Sequence, residues 1–331
     1  MNTYVVQKGG MNWAQAYAAS IKNPGADVIE FKIKEINRPI TISNTDHLTL
    51  KGNGVKIDAK GAAYDMLVNH SSYITVDDFE FTGAKTGFTG RFSHHIALTN
   101  AESHDNLGHG AYFFQSNYVA VRYGEFYRNG TDGLSMHMAA NIGTGKTMYQ
   151  NWIQDNVFHN NTTKVNTTEK WGWLIDEFDV WRPRHIALGY EDYLGKTLVS
   201  GNVSYGNGRS GGHVFHSDNV RVVNNTFYDN NVDNPSNVFD AELRITESDN
   251  ARVFNNIMIA DGDRDDDFAF SAVNSDNLVA RGNHSYIENY PERIGVRLLN
   301  LTHSSVLPEL NHWADQSLHN LAVDTNQLDW G

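Results

Sequence analysis

The sequence predicts an all-β fold, a right-handed parallel β-helix of about nine or ten coils with a capping helix at its N-terminus. Short apolar strands that end in a serine recur at intervals of about 22 to 25 residues, as expected for a solenoid. Asparagine and glycine recur between these strands, and no helix lies between them. The serines used for the alignment are Ser71, Ser93, Ser116, Ser217, Ser248 and Ser275.

The first 25 residues differ from the repeat and are predicted to form an N-terminal cap. Their apolar side chains have helical spacing, namely Trp13, Ala14, Tyr17, Ala18 and Ile21. The tripeptide Asn-Pro-Gly then ends the helix before the first strand of the repeat. A helix in this place would cover the open edge of the first coil.

Residues 26–290 are predicted to form the coils, with a loop insertion at 162–193 and a C-terminal cap at 291–331. Several units place an asparagine four residues before a glycine, as in Asn106 and Gly110 or Asn207 and Gly211. Both residue types tolerate the left-handed backbone of a sharp corner. The leucine-rich horseshoe has an overlapping period, but the inward positions here are mixed Val, Phe, Ile and Met, which favours the β-helix.

Composition excludes several classes of protein. The 331 residues include 26 Lys and Arg against 39 Asp and Glu, a formal net charge of −13, which argues against a broad nucleic-acid-binding surface. No apolar run approaches the length of a membrane span, and no signal peptide is visible at the N-terminus. The absence of cysteine excludes disulfides and thiolate chemistry. We expect a soluble monomer.

The segment NGRSGGHVFHSDNVRVVNNTFYDN, residues 207–230, resembles the repeat of secreted pectate-lyase-like β-helix proteins. The opening NPGADVIEF and the later LTLKGNGVKIDAKG are similar to the first coils of polysaccharide lyases and uronan epimerases. The resemblance covers about residues 10–290 and implies a carbohydrate-active protein that is secreted, periplasmic or on the cell surface. No stretch matches a catalytic motif of these groups, so the resemblance assigns no catalytic residue.

Strand alternation predicts a group of polar side chains on one outer face. If Phe113, Met136, Val214 and Ile245 point inward, their neighbours on either side point outward. The catalytic candidates at or beside these outward positions are Tyr112, His137, His213, Arg244, Arg91 and Asp132.

These side chains suit proton removal from C5 of a uronate residue. Arg244 or Arg91 could neutralise the sugar carboxylate, and His137 or His213 could accept the proton. Tyr112 could donate a proton to the leaving oxygen or to the opposite face of the ring. The sequence therefore predicts a lyase or C5-epimerase acting on an acidic polysaccharide such as alginate or pectate.

Aromatic and basic side chains in the insertion predict substrate binding, because aromatic faces stack on sugar rings and cations bind carboxylates. The residues are Trp171, Trp173, Trp181, Arg182, Arg184 and Lys170, with His109 at the preceding corner.

An acidic turn, ADGDRDDDF, predicts a calcium site, because closely spaced carboxylates can surround Ca²⁺ with oxygen ligands. The candidate ligands are Asp261, Asp263 and Asp265.

Two other functions agree with the sequence. A glycoside hydrolase or transglycosidase would need two carboxyl groups flanking the scissile bond, with candidates Asp132, Glu177, Asp179, Asp240 and Glu242. A non-catalytic glycan-binding or adhesive module would use the tryptophans alone.

Overall fold

A computed structural model describes residues 1–22, 25–141, 149–162, 172–176, 193–233, 241–262, 268–289 and 295–306. Every strand pairing among these residues is parallel. One sheet contains ten strands, one from each coil, and the fold is the predicted right-handed parallel β-helix.

The elements follow one another with short connections in most coils. They are β1 (Thr3–Gln7), α1 (Trp13–Ser20), β2 (Asp27–Lys32), β3 (Glu35–Ile36), β4 (Ile40–Ser43), β5 (Asp46–Asp58), β6 (Met66–Asn69), β7 (Ser72–Thr82), β8 (Phe88–Arg91), β9 (His94–Thr99), β10 (Glu102–His104), β11 (Ala111–Phe114), β12 (Asn117–Arg122), β13 (Glu125–Tyr127), β14 (Leu134–His137), β15 (Tyr149–Gln154), β16 (Val157–His159), β17 (Trp173–Asp176), β18 (Lys196–Ser200), β19 (Val203–Tyr205), β20 (Gly212–Phe215), β21 (Val220–Val223), β22 (Thr226–Tyr228), β23 (Ala241–Thr246), β24 (Arg252–Phe254), β25 (Ile257–Ala260), β26 (Phe268–Val273), β27 (Val279–Arg281), β28 (His284–Ile287), β29 (Val296–Leu299) and β30 (Ser305–Val306).

The coils have three sides. The ten-stranded sheet runs in the order β4, β6, β8, β11, β14, β17, β20, β23, β26, β29 and forms one side. The remaining twenty strands form a second sheet that covers the other two sides, because the long strands β5 and β7 extend through both of them.

The core lies inside the coils, where side chains of successive strands stack in register. On the ten-stranded sheet, one inward column is formed by Phe113, Met136, Ile175, Val214 and Ile245, each at most 1% exposed. Burying a side chain of this size contributes about 1.5 to 3 kcal/mol. The inward positions predicted from strand alternation are confirmed.

The predicted loop insertion at 162–193 contains strand β17, which was not predicted. Strand β17 pairs with β14 on one side and β20 on the other. The side chain of Trp173 is fully buried, and its ring lies 6.3 Å from that of Phe227. The prediction that Trp173 stacks on a sugar ring is therefore wrong, because this ring belongs to the core.

The ends of the solenoid combine predicted and unpredicted elements. Helix α1 is present and begins with a capping box, in which Asn12 and Gln15 exchange two 3.0 Å hydrogen bonds. Its buried side is formed by Trp13, Ala16 and Ser20, whereas Ile21 is 55% exposed, in disagreement with the predicted apolar face. Strand β1 precedes the helix, and β29 and β30 extend the coils beyond residue 290.

At the corners, the left-handed backbone belongs to a different residue from the one predicted. Asn106, Asn129 and Asn207 do not have left-handed backbones; the residue before each of them does. These preceding residues, with those before Asn161 and Asn230, are Asp105, Arg128, Asn160, Gly206 and Asp229, with φ between 50° and 61°.

The asparagines that follow form a buried chain of hydrogen bonds along the solenoid, here called the asparagine ladder. Its members are Asn106, Asn129, Asn161, Asn207 and Asn230. Each Nδ2 donates to the Oδ1 of the next asparagine at 2.8 to 3.1 Å, and each backbone N–H donates to the same oxygen. The asparagines thus satisfy backbone groups inside the corner, which a buried turn requires.

A second ladder of the same kind stabilises another corner. It consists of Asn156, Asn202, Asn225, Asn256 and Asn283. The aligned serines have the equivalent place at the third corner, where each hydroxyl accepts a backbone N–H of the preceding coil, for example Ser71 N to Ser93 Oγ at 3.0 Å.

The asparagine ladder ends on a carboxyl group, that of Glu242. Asn230 donates to it from its backbone N at 3.0 Å and from Nδ2 at 2.5 Å. Burial raises the pKa of Glu242 well above its usual range, so the folded protein binds this proton more tightly than the unfolded chain does. The free energy of unfolding should therefore decrease as the pH rises above the unfolded-state pKa of this carboxyl group.

We expect the substitution Glu242→Gln to stabilise the protein at about pH 8, because an amide does not ionise. Its single oxygen can accept both Asn230 donors, which Glu242 divides between its two oxygens, in the way that Asn230 Oδ1 accepts both donors of Asn207. Urea unfolding of the variant and the parent should show a difference that disappears near pH 4. Glu288→Gln, at an exposed position, is the control and should change stability little at either pH. Equal stability of Glu242→Gln and the parent at pH 8 would contradict this expectation.

Candidate functional site

One outward column of the ten-stranded sheet places four side chains at the ends of consecutive strands. Arg91, Phe114, His137 and Asp176 are the last residues of β8, β11, β14 and β17 and are paired in register. Adjacent strands are about 4.8 Å apart, so Arg91 and His137 begin about 10 Å apart, with the partly exposed Phe114 between them. That distance suits a single sugar ring.

Tyr112 connects the two ends of this arrangement. It lies two residues before Phe114 on strand β11, in the neighbouring outward column, where it is paired with Ser135. Its ring centroid is 5.3 Å from that of His137, and the guanidinium carbon of Arg91 lies 5.9 Å from the same Tyr112 ring. We call these three residues the Arg91–Tyr112–His137 cluster. They are three of the six side chains that strand alternation predicts to lie at or beside one outer face.

His109 extends this group at the adjacent corner. Its ring stacks on Tyr112 at 5.1 Å, and its Nδ1 lies 2.9 Å from the hydroxyl of Thr131 and 3.3 Å from Asp132 Oδ2. The hydroxyl of Ser135 also donates a hydrogen bond to Asp132. Asp132 is fully buried, so it does not face a bound substrate directly.

The His137 imidazole is electrostatically suited to accept a proton. Burial lowers the pKa of His137 from its usual value near 6.5, and the positive charge of His109 acts in the same direction. The carboxylates of Asp176 and Asp132 oppose this shift but are the smaller influence overall. The ring is therefore neutral at pH 7. Protein surrounds most of it, and the residue is only partly exposed.

Sequence reasoning missed Asp176, which is buried beside His137. Its Oδ1 lies 3.6 Å from Nδ1 of His216, whose Nε2 lies 3.1 Å from Glu247 Oε2. One signal could have revealed it: Gly172-Trp-Leu-Ile-Asp has the same spacing as Gly133-Leu-Ser-Met-His. The predicted insertion concealed this repeat.

His213 and Arg244 form a separate group farther along the sheet. Strand β17 lies between β14 and β20, so His213 is paired with Leu174 and Arg244. Burial lowers the pKa of His213 well below its usual value, and the charge of Arg244 adds to this effect. Arg244 donates from Nε to Thr246 Oγ1 at 3.1 Å, which lies 3.4 Å from His213 Nε2.

The carboxylates expected for a hydrolase are not exposed where the structure describes them. Asp132 is 0% and Glu242 is 2% exposed, and Glu242 ends the asparagine ladder. Neither can flank a glycosidic bond in this conformation. The other three candidates, Glu177, Asp179 and Asp240, lie outside the described residues.

Several predicted ligands of substrate or metal also lie outside the described residues. They are Trp171, Trp181, Arg182, Arg184, Lys170, Asp263 and Asp265. Asp261 is described, at the end of β25, and the calcium site stays a prediction. Among the side chains that the structure describes, no three His, Asp or Glu are grouped closely enough to hold a metal ion. The described part of the chain also contains no helix long and apolar enough to cross a membrane.

Comparison with known proteins gives a partial family match and several structural likenesses. Residues 1–156 match the model of a family described as periplasmic copper-binding protein NosD. A search of curated protein sequences gave no match.

Among solved structures, the alginate lyase of Paenibacillus sp. str. FPU-7 has a TM-score of 0.54 and 15% identity, over 92% of this chain and 99% of that one. The A-module of the mannuronan C-5 epimerase AlgE6 of Azotobacter vinelandii has a TM-score of 0.50 and 15% identity, over 85% and 81%. ORF18 of Geobacillus virus E2 has a TM-score of 0.56 and 12% identity, over 88% and 56%. Together with the coil geometry, these likenesses show that the chain has the right-handed parallel β-helix fold.

Proposed function

We propose that the chain is a lyase or C5-epimerase that acts on an acidic, uronate-containing polysaccharide. The observation that carries this proposal is the Arg91–Tyr112–His137 cluster, in which a cation, a phenol and an imidazole converge on one outer face. Both reactions begin with removal of the C5 proton, which requires a neutralised carboxylate and a base.

Arg91 is the group that would bind the substrate carboxylate. Its side chain is exposed at the end of β8, and among the described residues it forms no ion pair. A guanidinium can hold a carboxylate through two parallel hydrogen bonds. With the carboxylate on Arg91, the sugar ring would extend across Phe114 toward His137.

His137 would then accept the C5 proton, and Tyr112 would act as the acid. In a lyase, the electrons of the C5–H bond form a C4–C5 double bond, the C4–O bond breaks, and Tyr112 protonates the departing oxygen. In an epimerase, the carbanion is protonated at C5 from the opposite face of the ring. Asp176 beside His137 would stabilise the imidazolium formed in either reaction.

The comparisons support this class of function through the fold alone. Two proteins of similar fold are named as an alginate lyase and a mannuronan C-5 epimerase. The name of the partly matching family, together with this substrate class, supports a location outside the cytoplasm.

Absorbance at 235 nm and NMR distinguish the possible activities. The protein should be incubated with alginate, pectate and glycosaminoglycans, with and without added calcium. Absorbance would indicate a lyase, and altered NMR of an uncut polymer would indicate an epimerase. New reducing ends without absorbance would indicate hydrolysis and would contradict the proposal, as would the absence of any change in all polymers.

The pH dependence of the reaction should reflect the lowered pKa of His137. A general base must be deprotonated, and burial keeps His137 deprotonated to lower pH than a free imidazole. We therefore expect kcat/KM to stay constant as the pH falls through about 6.5 and to decline only in more acidic solution. A profile whose acid side falls at or above pH 6.5 would contradict this assignment.

A further inference from the structure

A cavity of about 710 Å³ lies at the N-terminal end of the solenoid. It is formed by the end of β1, the beginning of α1, and the connection from β2 through β3 toward β4. The last residue of its lining is Arg38, which precedes β4. Arg91 ends β8, which is two strands farther along the ten-stranded sheet. The cavity is therefore separate from the Arg91–Tyr112–His137 cluster.

The charge of this lining is opposite to that of the whole chain. Four cations line the cavity, namely Lys8, Lys32, Lys34 and Arg38, against one carboxylate, Glu35. The chain as a whole has 26 basic and 39 acidic residues. A positive cavity on a negative protein attracts a local anion by short-range contacts, in spite of the overall charge.

Only part of this positive charge is compensated. Lys56, which is not in the lining, lies 3.1 Å from Glu35 and holds the pKa of that carboxyl below its usual value. Lys32 pairs with Glu30 at 3.6 Å. Within the described residues, Lys8, Lys34 and Arg38 form no ion pair, and all three are exposed.

The rest of the lining is mostly apolar. Val6, Trp13 and Ile36 are almost completely buried, whereas Met11 is 42% exposed at the entrance. The Trp13 ring is fixed by stacking on Tyr17 at 5.0 Å and on Phe31 at 6.0 Å. The apolar surface is thus present before any ligand binds, as is usual for small-molecule sites.

We propose that this cavity binds an amphipathic anion, a small molecule with an apolar body and one carboxylate, sulfonate or sulfate group. The apolar body would cover the surface around Trp13, and the anionic group would lie between Lys34 and Arg38. The volume is within the range of small-ligand sites, about 300 to 1,000 Å³. A uronate polymer does not suit it, because its sugars have no apolar body, so the site is independent of the proposed enzymatic function.

Titration with 8-anilinonaphthalene-1-sulfonate tests the proposal, because this probe combines an aromatic body with a sulfonate. We expect saturable fluorescence enhancement at one site. The double variant Lys34→Gln, Arg38→Gln should raise the dissociation constant by about tenfold, since each ion pair with an exposed cation changes affinity a few-fold. The control, Lys51→Gln with Lys85→Gln, removes the same charge at exposed positions outside the cavity and should leave binding unchanged.

A neutral probe separates the two parts of the site. N-phenyl-1-naphthylamine should bind the parent and the double variant equally, because it has no anionic group. Circular dichroism should confirm that all variants are folded. Absence of saturable sulfonate binding, an equal loss in the control variant, or unchanged affinity in the Lys34 and Arg38 variant would overturn the proposal.

Discussion

Replacement of His137 by alanine is expected to lower kcat on the preferred uronate polymer by about a thousandfold, because a positioned general base contributes about 10² to 10⁴ in rate. KM should change little, since the carboxylate contact is assigned to Arg91. Initial rates at 235 nm measure the effect for a lyase, and NMR of the polymer measures it for an epimerase. The loss should be largest near neutral pH, where the parent imidazole is unprotonated.

His303→Ala is a suitable control, because the side chain of His303 is 85% exposed in the last described coil, far from this column. It should retain the parent rate. Urea unfolding should show that His137→Ala is folded under assay conditions. If His137→Ala turned over polymer at the parent rate, another group would have to remove the C5 proton and the proposed site would be wrong.

Replacement of Asn207 by alanine is expected to cost about 3 to 6 kcal/mol of unfolding free energy, since each buried group left without a hydrogen-bond partner costs about 1 to 3 kcal/mol. Asn207 Oδ1 accepts from the backbone N of Asn161 at 3.1 Å and from its Nδ2 at 2.9 Å. Its own Nδ2 donates to Asn230 Oδ1 at 2.8 Å. The substitution removes these three bonds and two further ones that Nδ2 makes, to Ser204 Oγ at 3.1 Å and to the Phe158 carbonyl at 3.3 Å, from a corner that excludes water.

Urea unfolding compares this variant with Asn37→Ala, which removes an exposed asparagine and should change stability by less than about 0.5 kcal/mol. A loss below about 1 kcal/mol for Asn207→Ala would show that the ladder bonds contribute little to stability. Preserved uronan activity in Asn207→Ala at low temperature would separate this role from catalysis.

The coil architecture could be predicted from the sequence because its corners repeat a pair of requirements. Each needs a residue in a left-handed backbone, and then a short polar side chain that accepts a backbone N–H of the preceding coil, as in Asp105 and Asn106. Strand β17 escaped prediction for a physical reason. Trp173 is part of its core side, but it has the same composition signal as a sugar-binding tryptophan.

The candidate site was predictable where strand geometry alone determines it. Alternation places Arg91 and His137 outward in the same register, and the structure confirms this. The burial of Asp132, the stacking of His109 on Tyr112, and the Asp176–His216 pair depend on contacts between coils. Such contacts have no signature in the spacing of residues along the sequence.

The asparagine ladder also bears on how this protein can evolve. Asn207 and Asn230 are 23 residues apart, whereas Asn161 and Asn207 are 46 apart, yet both pairs make the same contact. The additional residues of the longer coil flank β17 in the sequence, and Asp176 is the last residue of that strand. Selection can therefore lengthen or exchange segments around the candidate site while the corner bonds stay unchanged, so that substrate preference can diverge without loss of the scaffold.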